Sequence, residues 1–440
     1  MAGMRIVVFS CVGLLFAADL VAGDQGPFTL DAKIISPEPQ ERDGFATSIS
    51  VNNGFMFIGS PWHTDEDGKR IGCVFVFSRG ADGKWLPMDK LSASDGEDND
   101  RFGFSISVEQ DVALIGAPWD DDNGENTGSA YIFRRSAEGS WHQEAKLTPA
   151  SYKSNTTFGS SVSFSGGTAV IGAVSKSGAA SKSDDQKGFV YIFAKGDDGS
   201  WSEAVECSPS SDGSHWSNEE NSDFGRSVAI DGNLAIAGNP GECIRSTRTR
   251  IGGGENAGAV YVYAKEEGGE WSEQAKLTAY DAAENHDFGR ALRLQGSRCI
   301  VTAARYPRIP TRVKTREEEK NKLSDCVYIF RRVADGSWEF ESKLVSPASI
   351  DTLGGRKDGF AFDGLAIEDD ILMIGASGSA GSVYVYEKSP SNRWSQIQKI
   401  EMGWDDSRGF GRQIVISDGV LFVTYEDRGS QARTVAIYSR

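Results

Sequence analysis

An all-β fold, arranged as a ring of seven four-stranded blades, is predicted by three features of the chain. A four-strand unit is clearest over residues 102–147, where short alternating runs are separated by turn residues, as is typical of an antiparallel meander. The 51 glycines are spread along the chain, which indicates many turns rather than a low-complexity segment. No stretch longer than a turn shows the 3.6-residue period of an amphipathic helix.

The four-strand unit recurs along the chain. The aromatic residue that opens its first strand is found at Phe45, Phe102, Phe158, Phe224, Phe288, Phe360 and Phe410. A glycine-containing second strand follows five of these positions and is degenerate at 302–304 and 423–424, and a third strand with aromatic residues follows all seven. The fourth strand opens on Trp85, Trp141, Trp201, Trp271, Trp338 and Trp394. Seven first strands but only six tryptophan strands are therefore present, and the steps between repeats are uneven, as in blades with loops of variable length.

The missing fourth strand is predicted at the other end of the chain. Residues 28–34 match residues 141–147 in pattern, position for position, and the last repeat stops at Arg440, directly after its third strand. We therefore expect the amino-terminal strand to complete the last blade and close the ring, which removes exposed sheet edges. This organisation predicts one propeller domain over residues 24–440.

The motifs of these strands resemble a known family. The Phe-Gly start at Phe102, the Ile-Gly-Ala-Pro strand at 115–118 and the Gly-x-Val-Tyr-Val-Tyr pattern at 381–386 are similar to FG-GAP repeats. Those repeats build the seven-bladed propeller of integrin α subunits, so the resemblance implies that fold and a role in adhesion or recognition. Integrin-like blades often carry a calcium loop between the first and second strands. Here that connection is a short hairpin, for example at 52–54 and 109–111, so the integrin-type calcium loops are absent from that position.

The first 23 residues have the features of a secretory signal peptide. Arg5 precedes an apolar run over 6–18, and small residues at 21–23 offer a cleavage site before Asp24. The run is shorter than the roughly 20 residues needed to span a bilayer. We therefore expect a secreted, extracellular protein with no membrane insertion after cleavage, and a retained signal anchor is the alternative.

The net charge and the histidines exclude some classes of function. A net charge of −17 argues against nucleic-acid binding through the whole surface, because phosphates would be repelled. The four histidines do not form a His-Glu-x-x-His motif, and no Gly-x-Ser-x-Gly elbow is present. The sequence therefore predicts no catalytic residues.

Cysteine usage and a glycosylation sequon fit an exported chain. Five cysteines follow the signal segment, an odd number, and a disulfide between Cys207 and Cys243 is the first hypothesis for their pairing. Asn155 begins an Asn-Thr-Thr sequon that we place in an exposed loop between blades, where it would carry a glycan in a eukaryotic host.

Candidate ligand-binding residues follow from the propeller topology, which places the connections after the second and fourth strands on one face, here called the variable-loop face. Trp62 and Trp119 follow the proline that ends the second strand in adjacent blades, where their rings could stack on a sugar or on an arginine of a partner; wedging between blades is the alternative. Asp120 and Asp122 lie beside Trp119, and Arg245 and Arg248 give the opposite side of this face a positive charge.

The acidic run at 120–125 is also a candidate calcium site. Asp120, Asp122 and Glu125 supply enough oxygen donors for Ca²⁺. They lack the alternating spacing that would arrange them around one ion, so a solvated loop is the alternative.

These features favour a non-catalytic binding module for an extracellular protein or glycan. One alternative is a propeller enzyme that acts on extracellular polysaccharide through clustered carboxylates. A second alternative is a structural protein of the extracellular matrix, which would have no discrete ligand.

Overall fold

The alternating repeats form antiparallel sheets that surround a central channel, one sheet for each repeat. The computed structural model describes residues 26–151, 155–175, 188–209, 223–242, 256–282, 286–304, 325–347, 359–378, 381–403 and 407–440. Seven sheets are formed within these ranges, six with four strands and one with an additional short strand. Within the same ranges, no helix has the length and the apolar character needed to cross a membrane.

The strands of each blade follow one another in chain order from the channel outward. Blade one comprises β2 (Ser48–Asn52), β3 (Phe55–Ser60), β4 (Cys73–Arg79) and β5 (Trp85–Leu91). Blade two comprises β6 (Ser105–Glu109), β7 (Val112–Ala117), β8 (Ser129–Arg135) and β9 (Trp141–Leu147). Blade three comprises β10 (Phe158–Ser165), β11 (Thr168–Ala173), β12 (Phe189–Lys195) and β13 (Trp201–Cys207). Blade four comprises β14 (Val228–Asp231), β15 (Leu234–Asn239), β16 (Ala259–Lys265) and β17 (Trp271–Leu277).

The remaining blades repeat this order. Blade five comprises β18 (Leu292–Gln295), β19 (Arg298–Ala303), β20 (Cys326–Arg332) and β21 (Trp338–Val345). Blade six comprises β22 (Phe360–Glu368), β23 (Ile371–Ala376), β24 (Ser382–Lys388) and β25 (Trp394–Glu401). Blade seven comprises β27 (Ile414–Ser417), β28 (Val420–Asp427), β29 (Arg433–Ser439) and the amino-terminal β1 (Thr29–Ile35), and the short β26 (Ser407–Arg408) also pairs with β28.

The predicted ring closure is confirmed. Strand β1 pairs antiparallel with β29, from Thr29 opposite Ser439 to Ile35 opposite Thr434. The innermost strands also meet around the whole ring, since β27 of blade seven contacts β2 of blade one. The two ends of the described chain are therefore held in one sheet.

The core lies between blades. Seven clusters of buried apolar side chains are found among the described residues, and each combines side chains of two neighbouring blades. In one of them, Phe57 and Val74 of blade one pack with Phe102 and Tyr131 of blade two. The second strand of each blade is covered on both faces, so all six residues of β7 are buried. This double burial explains why the second strand is an unbroken apolar run.

Two glycines and a serine connect the inner strands of successive blades. Ser105 Oγ donates a hydrogen bond to the carbonyl oxygen of Gly159 at 2.7 Å. A Cβ atom added to Gly116 would lie 2.0 Å from the same oxygen. Equivalent bonds of 2.7–2.8 Å run from Ser48 to Gly103, from Ser161 to Gly225 and from Ser227 to Gly289. The glycines of the Phe-Gly and Ile-Gly motifs are therefore required by the close approach of backbones in neighbouring blades.

A carboxylate of one blade also holds the outer strands of the next. Glu144 of β9 accepts hydrogen bonds from Lys195 Nζ at 2.7 Å and from Trp201 Nε1 at 2.8 Å, both in blade three, and it pairs with Arg134 of its own blade. Glu341, Lys388 and Trp394 repeat the arrangement between blades five and six. The tryptophan that opens the fourth strand therefore has a polar partner in the preceding blade at these two interfaces.

This arrangement gives a pH-dependent stability. Partial burial raises the pKa of Glu144, but hydrogen bonds from Arg134, Lys195 and Trp201 outweigh it and lower the pKa to about 2. Because the pKa is lower in the folded state, the stabilisation is complete above the unfolded value of about 4.3 and is lost as the pH falls toward 2. We expect Glu144→Gln to reduce the free energy of unfolding by about 2 kcal/mol at pH 7, and the difference from wild type to vanish near pH 2.

Urea denaturation between pH 2 and 7 measures this difference. Glu267→Gln, at an exposed hairpin, is the control, and its free energy of unfolding should equal that of wild type at every pH. A Glu144→Gln deficit that stays constant down to pH 2 would contradict the role of the charge.

Candidate functional site

A cavity of about 770 Å³ opens at the end of the central channel on the variable-loop face. Its rim uses the residue that follows the Phe-Gly motif, or its equivalent, in every blade: Thr47, Phe104, Ser160, Arg226, Arg290, Phe362 and Arg412. Each of these positions lies within two residues of the start of the first strand, so the fold brings together residues that are far apart in sequence. The volume is in the range of small-ligand sites.

The cavity is strongly basic. Its lining contains six arginines, namely Arg226, Arg290, Arg293, Arg408, Arg412 and Arg433, and two carboxylates, Asp363 and Glu426. The whole chain, by contrast, has a net charge of −17. A positive cavity in an acidic protein attracts anionic ligands selectively, because the rest of the surface repels them.

Four of the arginines form an arc across blades four, five and seven. Arg290 Nε lies 3.4 Å from Asp363 Oδ1, and Arg412 Nε lies 3.8 Å from Asp363 Oδ2. Burial holds the pKa of Arg290 below its usual value; Asp363 opposes this shift, and the nearby charge of Arg226 adds to it. Burial and the charge of Arg412 likewise lower the pKa of Arg433. Arg226 therefore repels Arg290, and Arg412 repels Arg433.

Two members of this arc also connect blades. Arg290 Nε donates to the carbonyl oxygen of Phe362 at 3.1 Å, and its guanidinium carbon lies 3.7 Å from the centre of the Phe362 ring. One terminal nitrogen of Arg433 donates to Thr47 Oγ1 at 2.7 Å. Arg290 and Arg433 therefore have a structural role in addition to their charge.

Arg293 lies deeper in the channel. Its guanidinium donates to the carbonyl oxygen of Leu292 at 2.8 Å, and among the described residues it has no carboxylate partner. Burial lowers the pKa of Arg293 to about 10. Removal of a guanidinium from water without a countercharge destabilises the folded state. Charged groups in such unfavourable environments are common in binding sites.

The two predicted tryptophans stack on an arginine of this chain. The guanidinium carbon of Arg101 lies 3.0 Å from the ring centre of Trp119 and 5.5 Å from that of Trp62. Both rings are half-buried, and Trp62 also lines the central cavity. The predicted partner of these rings was a sugar or an arginine of another molecule, whereas Arg101 already covers one face of Trp119. Trp62 is therefore the better placed of the two to touch a ligand.

Asp120 and Asp122 bind a lysine. Lys146 Nζ lies 2.9 Å from Asp120 Oδ2, 2.5 Å from Asp122 Oδ2 and 2.8 Å from Asp95 Oδ2. Asp120 is only 2% exposed and also accepts a hydrogen bond from the Tyr131 hydroxyl at 2.8 Å. Burial lowers the pKa of Lys146, but the three carboxylates outweigh it and raise the pKa above the usual range. The lysine amine therefore occupies the place that the sequence hypothesis gives to a calcium ion.

The third calcium candidate does not join this cluster. Glu125 is exposed, and its carbonyl oxygen accepts a hydrogen bond from the Asn155 amide at 2.8 Å. In the part of the chain that the structure describes, no group of three or more His, Cys, Asp and Glu side chains is placed to hold a metal ion. Asp120 and Asp122 act there as partners of Lys146.

Several predicted residues lie outside the described ranges or have a different environment. Arg245, Arg248, Cys243 and the signal segment 1–23 are outside the described residues. Cys207 is buried in the core between blades three and four and has no disulfide partner among the described residues. Its pairing with Cys243 stays a prediction, because Cys243 lies outside the described residues.

The sequon is also more buried than expected. Asn155 is half-buried, and its side-chain oxygen accepts a hydrogen bond from Asn126 Nδ2 at 3.3 Å. Thr157, the third residue of the sequon, is 2% exposed and donates from its hydroxyl to the carbonyl oxygen of Val174 at 2.7 Å. The exposed-loop placement is therefore wrong for Thr157, because this hydroxyl ties the turn before β10 to the end of β11.

The arginine cavity is absent from the sequence hypotheses, although a signal for it exists. Phe-Gly-Arg occurs at 224–226, 288–290 and 410–412, and in a propeller these three positions face one channel. Alignment of the seven repeats by the residue after Phe-Gly would have identified Arg226, Arg290 and Arg412 as neighbours. Arg293 and Arg433 have no such repeated signal.

Comparison with known proteins identifies the repeats. A family model described as FG-GAP repeat matches residues 85–133, 141–193, 217–263 and 271–313. Three of the matches, at 85–133, 141–193 and 271–313, begin at the fourth strand of one blade and continue into the next blade, so these sequence units cross a blade boundary. The match at 217–263 begins after β13 and ends within β16 of blade four. A search of curated proteins finds no match. Four repeats in a seven-bladed ring are consistent with the propeller of integrin α subunits.

Proposed function

We propose that this chain, an FG-GAP repeat propeller, is a non-catalytic binding module whose ligand docks on the variable-loop face, over the mouth of the central channel. The partner we propose is an extracellular glycan. The single observation that supports this most is the cavity of about 770 Å³ at the channel mouth, to which all seven blades contribute. Loops on a rigid frame are common positions for binding sites.

The chemistry of the cavity favours binding over catalysis. Guanidinium groups stay protonated near neutral pH, so the arginines of the lining are poor general acids or bases. Asp363, one of the two carboxylates in the lining, is engaged by Arg290 and Arg412. The described lining contains hydrogen-bond donors, positive charge and aromatic surface. Proteins recognise sugars and their substituents through these properties.

Secretion is part of the proposal. It is supported by the basic start, the apolar run and the small residues of segment 1–23. An exported propeller would meet glycans of the cell surface or of the extracellular matrix.

A glycan array probed with the purified chain tests this function, in calcium and again in EDTA. We expect specific binding that Trp62→Ala weakens about tenfold, because the ring at the lip of the cavity loses its stacking contact with the sugar. Leu86→Ala is the control, since Leu86 is a large exposed apolar side chain of the same blade but lies on the outermost strand. A thermal melt of each variant confirms that it is folded.

Two outcomes would contradict the proposal. One is an array without binding under both conditions, which would exclude a glycan partner. The other is equal binding by Trp62→Ala and Leu86→Ala, which would place the ligand away from the channel mouth. Binding that is lost in EDTA would show that a metal ion takes part.

A further inference from the structure

We infer that the arginines of the channel mouth form an oxyanion-binding site, and that the glycan recognised by this propeller is acidic, with carboxylate or sulfate groups that enter the central cavity. This inference rests on the proposed glycan-binding function for the identity of the ligand. The oxyanion site itself rests only on the arrangement of the arginines.

The lining of the central cavity has a surplus of positive charge. Six arginines line the cavity against two carboxylates. Asp363 is shared between Arg290 and Arg412, at 3.4 and 3.8 Å. Arg290 also lies 3.8 Å from Asp287 Oδ2. Arg226, near the charge of Asp223, and Arg293 have no carboxylate within ion-pair distance among the described residues. A bound oxyanion would supply the missing countercharge.

The contacts between blades do not require this surplus of positive charge. Arg290 and Arg433 tie neighbouring blades together through Phe362 and Thr47. Blades one to four contact the next blade through a serine hydroxyl, as between Ser105 and Gly159, without any charge. Arg226 and Arg412 follow the Phe-Gly motif, where blades one to three carry Thr47, Phe104 and Ser160. Arg226 and Arg412 are therefore not required by the repeated scaffold.

Three of the arginines surround the cavity at equivalent positions. Arg226, Arg290 and Arg412 occupy the same position in three blades, so they approach one cavity from different directions. Guanidinium groups that converge in this way match the several oxygen atoms of a sulfate or carboxylate, to which they donate strong charge-assisted hydrogen bonds. Trp62, at the lip of the same cavity, is placed to stack on the sugar that carries the group.

Isothermal titration calorimetry with inorganic sulfate, at constant ionic strength set with chloride, tests the oxyanion site in the complete chain. We expect Arg226→Gln and Arg412→Gln each to weaken sulfate binding about tenfold, through loss of a charge-assisted hydrogen bond. Arg412 has a side chain that is 61% exposed, so its replacement should leave the fold intact. Arg79→Gln is the control, because Arg79 lies at the end of β4 on the hairpin face and is exposed.

A stability measurement separates binding from a structural role. Without sulfate, the relief of repulsion among the arginines should leave the melting temperature of Arg412→Gln equal to or above that of wild type. A structural arginine would instead lower it. Sulfate affinity that is equal in all variants, or no sulfate binding by wild type, would overturn the oxyanion site.

A second titration identifies the source of the oxyanion. A sulfated oligosaccharide is compared with its desulfated counterpart, and we expect binding of the sulfated form to be lost in Arg412→Gln and to weaken as salt is raised. Binding of neutral glycans without sulfate binding would overturn this inference and keep the proposed function. Sulfate binding without binding of any glycan would keep the oxyanion site and overturn the glycan as partner.

Discussion

Phe28→Ala should reduce the free energy of unfolding by about 3–5 kcal/mol, the range for removal of a large buried aromatic side chain. Phe28 is 0% exposed and packs between blades six and seven. Its amide donates to Gln398 Oε1 at 2.9 Å, and its carbonyl oxygen accepts from Gln398 Nε2 at 2.8 Å. Loss of the ring leaves a cavity at the point where the amino-terminal strand joins the propeller, so the closure of the ring is weakened.

The matched control for this experiment lies two residues further along the chain, in β1. Leu30 is 41% exposed, so Leu30→Ala should change the free energy of unfolding by less than about 0.5 kcal/mol. Thermal and urea denaturation of both variants measure the difference. Equal stability of the two would show that β1 contributes little to ring closure.

Gly116→Ala should destabilise the protein by about 3 kcal/mol, although it adds a single methyl group. The new Cβ would lie 2.0 Å from the carbonyl oxygen of Gly159 and 2.4 Å from Ser105 Oγ. The first of these atoms is backbone of the next blade and cannot move away by a rotamer change, so the inner strands of blades two and three must separate. The hydrogen bond from Ser105 to Gly159 would be lost as they part.

Gly268→Ala is the control for the methyl group itself. No atom lies within 4 Å of a Cβ at Gly268, in an outer hairpin. Alanine there should leave stability unchanged or raise it slightly, through a smaller loss of backbone entropy on folding. Differential scanning calorimetry would show the contrast, and a Gly116→Ala protein as stable as Gly268→Ala would refute the requirement for close contact between blades.

The number of blades follows from the order of residues alone, because six of the seven blades are built from strands close together in the chain. The closure by β1 follows from a repeated pattern at the two ends of the chain. The apolar run of β7, the tryptophan that opens six of the fourth strands and the match between residues 28–34 and 141–147 are local patterns. A local pattern determines which residues form strands and where turns fall. Even the requirement for glycine at position 116 is visible as a repeated motif, although its steric cause is the backbone of the next blade.

The partners of charged and aromatic side chains depend on how the blades pack. Asp120 and Asp122 bind Lys146, and Arg101 lies over Trp119, in place of the metal and ligand that sequence spacing suggested. Arg226, Arg290 and Arg412 are more than 60 residues apart in successive steps and meet around one cavity because the closed ring turns every first strand toward a common axis. Electrostatic interactions depend on distance in space, so the charge of this cavity arises only when the propeller is assembled.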